Sequence, residues 1–143
     1  MRLRKVTCSF LGLIVFAPAA DRDAGPQYDP ATVISISGTV QEVRELAEPP
    51  ALKGIHVTLV EKRGMQVYVA PAPFLRAFAV TFVKGDRLHI SGSKVRFRGA
   101  ELVLAREVRR DNDVLVVRDE KGNPYWDNGA AKSKLVTLST AAD

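Results

Sequence analysis

From Thr32 to Arg118 apolar and polar residues alternate mostly at period two, the mark of strands with one face buried. In ATVISISGTVQEV, Ile34, Ile36 and Val40 share one parity with Gly38 between them, which predicts a long strand bent at or near the glycine. RELAEPPALKG has two prolines and no period, so it reads as a loop. GIHVTLVEKRGMQVYVA then predicts a hairpin. A three-residue loop, Lys62-Arg63-Gly64, with glycine in the left-handed position, sets Leu59 opposite Val67 and Val57 opposite Val69. His56, Thr58, Val60, Gln66 and Tyr68 take the other face.

PAPFLRAFAVTFVKGD changes period. Phe74, Leu75, Phe78 and Phe82 recur at helical spacing, with Pro73 suited to a first turn, so a short helix ending before Gly85 is expected to plug the core. In KGDRLHISGSKVRFRGAELVLAREV alternation returns: Gly92 is expected to break the strand, and a two-residue turn at Gly99-Ala100 sets Arg98 opposite Glu101 and Phe97 opposite Leu102. On that register Lys94, Arg96, Arg98, Glu101, Val103 and Ala105 share one face. A last apolar run, DVLVVRD, follows the polar turn RRDND. Long bent strand, hairpin, helix, strand and bent hairpin is the order of a five-stranded Greek-key β-barrel of the OB type, all-β but for one short helix. A flat meander carrying one helix is the rival, and the glycines placed where a short sheet must bend favour closure.

VISISGTVQEV, MQVYVA and VKGDRLHISGSKV…ELVLAREVRR together resemble a bacterial OB-fold family of small exported proteins, over roughly Thr32 to Arg110. The resemblance implies a periplasmic or secreted module that binds a ligand or answers stress and is not an enzyme. The longer first loop and the extension VLVVRDEKGNPYWDNG depart from the shorter family members, so no binding residue is transferred.

The ends change the charge picture. MRLRKVTCSFLGLIVFAPAA sets Arg2, Arg4 and Lys5 before an apolar run closed by Ala17-Pro18-Ala19, an export signal cut after Ala19 or Ala20. The division expected is therefore a signal peptide over 1–20, a polar lead over 21–31, the barrel over 32–118 and a C-terminal extension over 119–143. No segment after the signal is long and apolar enough to span a bilayer. Of 21 basic residues three leave with the signal, so 18 face 16 acidic ones and the formal charge falls from +5 to +2. A chain so near neutrality gives no global argument for nucleic acid. The one cysteine, Cys8, leaves too, and with it any thiolate or Cys-based metal site.

Candidate chemistry is thin. Ser35, Ser37, Ser91 and Ser93 sit in strand or bend contexts, and neither His56 nor His89 follows a nucleophile pattern, so no catalytic residue is assigned. Two distant histidines and Met65 make a poor ligand set, and DNDVLVVRDEKGN lacks the order of an EF-hand loop, so neither metal nor cofactor is assigned. For ligand binding the candidates are the basic Lys94 and Arg96 with Tyr68, and the aromatic pair Tyr125 and Trp126 at the edge of the same groove. The plainer alternatives are a solvated face with Arg98 paired to Glu101, and aromatics that anchor the extension by burial. The partner expected is an anionic or sugar-like small ligand or an envelope protein, with single-stranded nucleic acid or a structural accessory role as the alternatives.

Overall fold

The computed structural model describes residues Gly25–Asp127. The expected signal peptide over 1–20, its cleavage point and the last sixteen residues lie outside the described residues. Strand β1 spans Val33–Leu46, β2 Gly54–Leu59, β3 Gln66–Ala70, helix α1 Ala72–Ala77, β4 Arg87–Phe97, β5 Ala100–Arg110 and β6 Asp113–Val116. The sheet runs β3-β2-β1-β4-β5-β6, and β3 also pairs with β5 in parallel through Gln66–Leu102, Val67–Val103 and Tyr68–Leu104. That pairing closes β1 to β5 into a five-stranded barrel of the OB type, with α1 between the third and fourth strands. β6 adds a short outer strand against β5.

The interior follows the alternation. Ile36 and Val40 of β1, Val57 and Leu59 of β2, Val67 and Val69 of β3, Leu88 and Ile90 of β4, and Val103, Ala105 and Val108 of β5 form one buried cluster. Burying each such aliphatic side chain stabilises the fold by about 1.5–3 kcal/mol relative to exposure. β1 gives its first half to β4 and its second to β2, and the register slips between Val40 and Glu42, so the bend falls just beyond Gly38.

Both hairpins form with the expected parity but shifted by two residues. In the first, Val57 faces Val67 and His56 faces Tyr68. The residues that follow β2 are drawn to β1 instead of β3, since Val60 N–H donates to the Thr39 carbonyl (2.9 Å) and Glu61 Oε2 accepts from Thr39 N–H (2.8 Å). Two successive turns, Leu59 to Lys62 and Lys62 to Met65, then replace the three-residue loop, and Gly64 keeps the expected positive φ of 75°. In the second hairpin Phe97 faces Ala100, so the turn is Arg98-Gly99 and not Gly99-Ala100. Both turn residues have positive φ, 51° and 79°, as a twist-matched two-residue turn requires. Arg98 therefore leaves the basic row and lies over the Phe97 ring, while Lys94 holds Glu101 at 3.1 Å.

Gly92 does not break its strand. β4 is continuous through it, and the irregularity falls on β5, where Arg106 is the extra residue between Ala105 and Glu107. A Cβ at Gly92 would stand 2.3 Å from the Leu104 carbonyl oxygen, so glycine is required there by the approach of the β5 backbone. The helix is shorter than the phenylalanine spacing suggests and stops at Phe78. Val80 N–H returns to the Leu75 carbonyl and Ala79 N–H to that of Arg76, with Ala79 left-handed at φ 53°. Phe82 still reaches the core from the loop beyond.

Candidate functional site

Val95 and Phe97 of β4, Leu102 and Leu104 of β5, and Tyr68 of β3 point outward from the barrel, yet Tyr68, Leu102 and Leu104 are buried. Their cover comes from the chain's own flanks: Leu52 of the loop after β1, Tyr28 of the lead and Trp126 of the extension. The face of strands two and three, which OB barrels commonly present to ligands, is thus partly roofed. Tyr68 is correspondingly not an exposed platform. It is 2 % exposed, donates through its hydroxyl to the Lys53 carbonyl (2.9 Å) and packs against His56, their ring centroids 5.0 Å apart. Burial pushes its phenol up to about 12, against the opposing influence of the nearby Arg118 charge. His56 is buried as well, bonded to the Leu52 carbonyl (2.7 Å), and desolvation lowers its pKa.

The roof is held by short polar contacts. Asp29 N–H donates to Ser93 Oγ (3.0 Å), which also meets Thr32 Oγ1 (2.8 Å), tying the lead to a buried serine of β4. On the other side, Val117 and Arg118 N–H both donate to the Arg106 carbonyl at the β5 bulge. Asp119 then clamps a tight turn: its Oδ2 accepts from the Asn123 side-chain amide (2.9 Å) and its Oδ1 from Asn123 N–H (2.8 Å) and Lys121 N–H (2.9 Å), and the carboxyl stays below the usual carboxylate range, the Asn123 side chain first among the causes. Gly122, at φ 91°, passes against the Tyr28 ring, where a Cβ would lie 2.2 Å from Cδ1.

At the centre lies Arg118, 8 % exposed. Its guanidinium is 5.0 Å from the Trp126 ring centroid and 6.0 Å from that of Tyr28, and its Nη1 donates to the Gly122 carbonyl (3.0 Å). Its Nε and the Tyr28 hydroxyl are buried and unpartnered among the described residues. Trp126 also meets Phe74 of α1 and Tyr68 edge-on, centroids 5.6 and 6.1 Å away, so one indole joins helix, barrel wall and flank. Between lead and extension opens a cleft of about 740 Å³ lined by Tyr28, Lys53, Tyr68, Arg118, Lys121 and Trp126 among others.

Of the five residues proposed from the sequence, Tyr68 and Trp126 meet at this cleft. Tyr125 is half-buried beside it, held by its N–H to the Val117 carbonyl (3.1 Å), and does not line it. Lys94 and Arg96 are exposed at the end of the β4–β5 hairpin, Lys94 on Glu101 and Arg96 on the Gly99 carbonyl (3.3 Å), and neither lines the cleft. Arg118 and Tyr28 were missed. Arg118 carried a signal, a lone cation closing the apolar run VLVV. His89 Nδ1 does reach Ser37 Oγ, but the pair is exposed on the outer face of β1 and β4. Among the described residues no group of three or more His, Cys, Asp or Glu could hold a metal ion, and no helix is long and apolar enough to cross a membrane.

Residues 32–115, more than half the chain, match the profile of the MamS/MamX magnetosome protein family. The chain belongs to this family. The match agrees with the bacterial character of the resemblance drawn from element order. A search of curated proteins returned no match. The MamS/MamX span begins at Thr32 and ends at Leu115, so it contains the barrel wall and Tyr68. Tyr28, Arg118 and Trp126, which build the roof and the cleft, lie in the flanks on either side of it.

Proposed function

We propose that this MamS/MamX family member is an exported, non-catalytic OB-type binding module that takes a small ligand, or a segment of a partner protein, in the cell envelope. The observation that carries the reading is the cleft itself: a space of about 740 Å³ on the β2–β3 side of the barrel, walled by two flanks that the barrel holds in place. A preformed cavity that combines aromatic walls with a few polar groups is the usual form of a small-molecule site, and its rigidity lowers the entropic cost of binding. The mechanism is docking without chemistry. The strand Tyr68 sits on and the Asp119-clamped turn hold Tyr68, Arg118 and Trp126 in place before a ligand arrives. The family's name supports a role associated with magnetosomes.

The basic end of the β4–β5 hairpin gives the second reading, a single-stranded nucleic-acid binder. Lys94 already carries an acidic partner and the adjacent ring, Phe97, is half-buried under Arg98, so this reading is the weaker one. An amide chemical-shift map of the full-length protein, titrated with short single-stranded DNA, an acidic oligosaccharide and divalent cations, tests both. Shifts clustered at Tyr68, Arg118 and Trp126 support the cleft, and shifts at Lys94 and Arg96 that fade steeply with salt support nucleic acid. Absence of clustered shifts with every probe overturns the small-ligand reading and leaves a protein partner to be sought. N-terminal sequencing of protein recovered from the periplasm tests export, with Ala20 or Asp21 expected as first residue.

A further inference from the structure

Resting on the cleft as the binding site, we propose that its ligand is a small organic carboxylate received by Arg118. A guanidinium this deeply buried ordinarily lies against a carboxylate, because an unpaired buried charge is strongly destabilising. Among the described residues none of the ion pairs involves Arg118: the one hydrogen bond of its guanidinium goes to the Gly122 carbonyl, Asp127 acts on it only beyond ion-pair distance, and the Tyr28 and Trp126 rings lie beside it. Aromatic rings so close to the guanidinium leave its in-plane edge as the route for a ligand. That edge presents parallel N–H donors, the geometry matched by a planar two-oxygen acceptor. A second donor, the Tyr28 hydroxyl, is buried without an acceptor on the lead side.

The lining charges set the size of the anion. Arg118, Lys53 and Lys121 face Glu45 and Asp127 around the cleft, three cations against two carboxylates. That balance compensates one negative charge and leaves any further charge of a polyanion without a partner. The remaining wall, with Pro26, Pro71 and Pro73 beside the Tyr68 and Trp126 rings, suits a flat or apolar body attached to the carboxylate. The body can be a sugar ring or an aromatic ring, and the two are told apart by experiment.

Trp126 is the only tryptophan of the chain, so its fluorescence reports on this cleft alone. Glucuronate, benzoate and inorganic phosphate are titrated separately into the full-length protein, following Trp126 emission and the Arg118 Nε–Hε resonance. The expected result is a saturable change with glucuronate or benzoate, a downfield move of Hε in the same titration, and weakening of about tenfold in Arg118→Lys, which keeps the charge and loses the fork. The wild-type Hε shift keeps the test valid should Arg118→Lys loosen the extension. A response to phosphate equal to that of the carboxylates, or silence of both carboxylates, overturns the inference. Silence here together with cleft shifts from another probe class leaves the small-ligand module standing, whereas silence of every probe removes the small-ligand reading together with this inference.

Discussion

Gly122→Ala is the sharpest probe of the roof over the barrel. Two costs add at this position. Gly122 holds φ 91°, a conformation that costs an L-residue about 1–2 kcal/mol. The new Cβ would also fall 2.2 Å from Cδ1 and 2.5 Å from Cβ of Tyr28, so the whole Tyr28 side chain must move and not only its tip. Overpacking of this kind costs about 1–3 kcal/mol. It is capped by what docking Tyr28 is worth, because the lead can detach. The expected loss is about 2–4 kcal/mol in total. Gly64→Ala provides the reference, since Gly64 has a similar φ of 75° with nothing within 4 Å of its Cβ, and should lose only the conformational part, about 1–2 kcal/mol. Urea denaturation followed by far-UV circular dichroism gives both values, and Trp126 emission shows whether the flank has loosened. In a Tyr28→Gly background, which removes the Tyr28 Cβ as well as its ring, the cost of Gly122→Ala should fall to that of Gly64→Ala. Equal losses for the two alanine variants in the wild-type background would refute the packing of Tyr28 on the Asp119 turn.

Ala79→Gly should stabilise the fold by about 1 kcal/mol, because Ala79 holds the left-handed position that ends α1 and glycine takes it without steric cost; an unchanged urea midpoint would contradict that helix end. Tyr68 has a folded pKa raised to about 12 from an ordinary 10, so its contribution is complete below pH 10 and is lost as pH rises towards 12. Stability measured across that window should fall less steeply in Tyr68→Phe, which at neutral pH loses about 1 kcal/mol with the bond to Lys53. His56 acts at the other end: its folded pKa lies below 6.5, so the unfolded chain takes up the proton first and stability is lost as pH falls below about 6.5. A pH 7 to 5 decline that persists undiminished in His56→Gln would exclude this residue as the source. Val103→Ala, at a fully buried position on the closing strand, should cost about 2–3 kcal/mol by thermal denaturation.

Alternation along the strands carried the barrel, because each face of a closed sheet meets either core or cover and the two-residue period records which. The same period cannot detect a shift by two. Leu59 opposite Val67 and Val57 opposite Val67 place the same residues on the same faces, so both hairpins were legible in parity and wrong in register. What selected the register was local: the pull of Thr39 on Val60 and Glu61 in one hairpin, and the positive φ at both Arg98 and Gly99 in the other. The site was less legible for a related reason. Tyr68 and His56 read as an outer, wet face, and outer they are, but the flanks cover them, and nothing in strand periodicity announces that a lead and an extension will dock on the same wall. Lys94 and Arg96 formed a regular row and lie apart from the cleft, whereas Arg118 opens the charged run RDEK, which has no period to set it apart.

The parallel contact of β3 with β5 has a kinetic corollary. Among the described residues all other ladders join strands antiparallel, and the hairpins among them can form early from nearby chain. Gln66 to Leu102 spans α1, β4 and the following turn, so this ladder forms only after that intervening chain has been gathered in. Val103→Ala should then speed unfolding while leaving the refolding rate nearly unchanged, because a contact absent from the transition state is felt only on the way out.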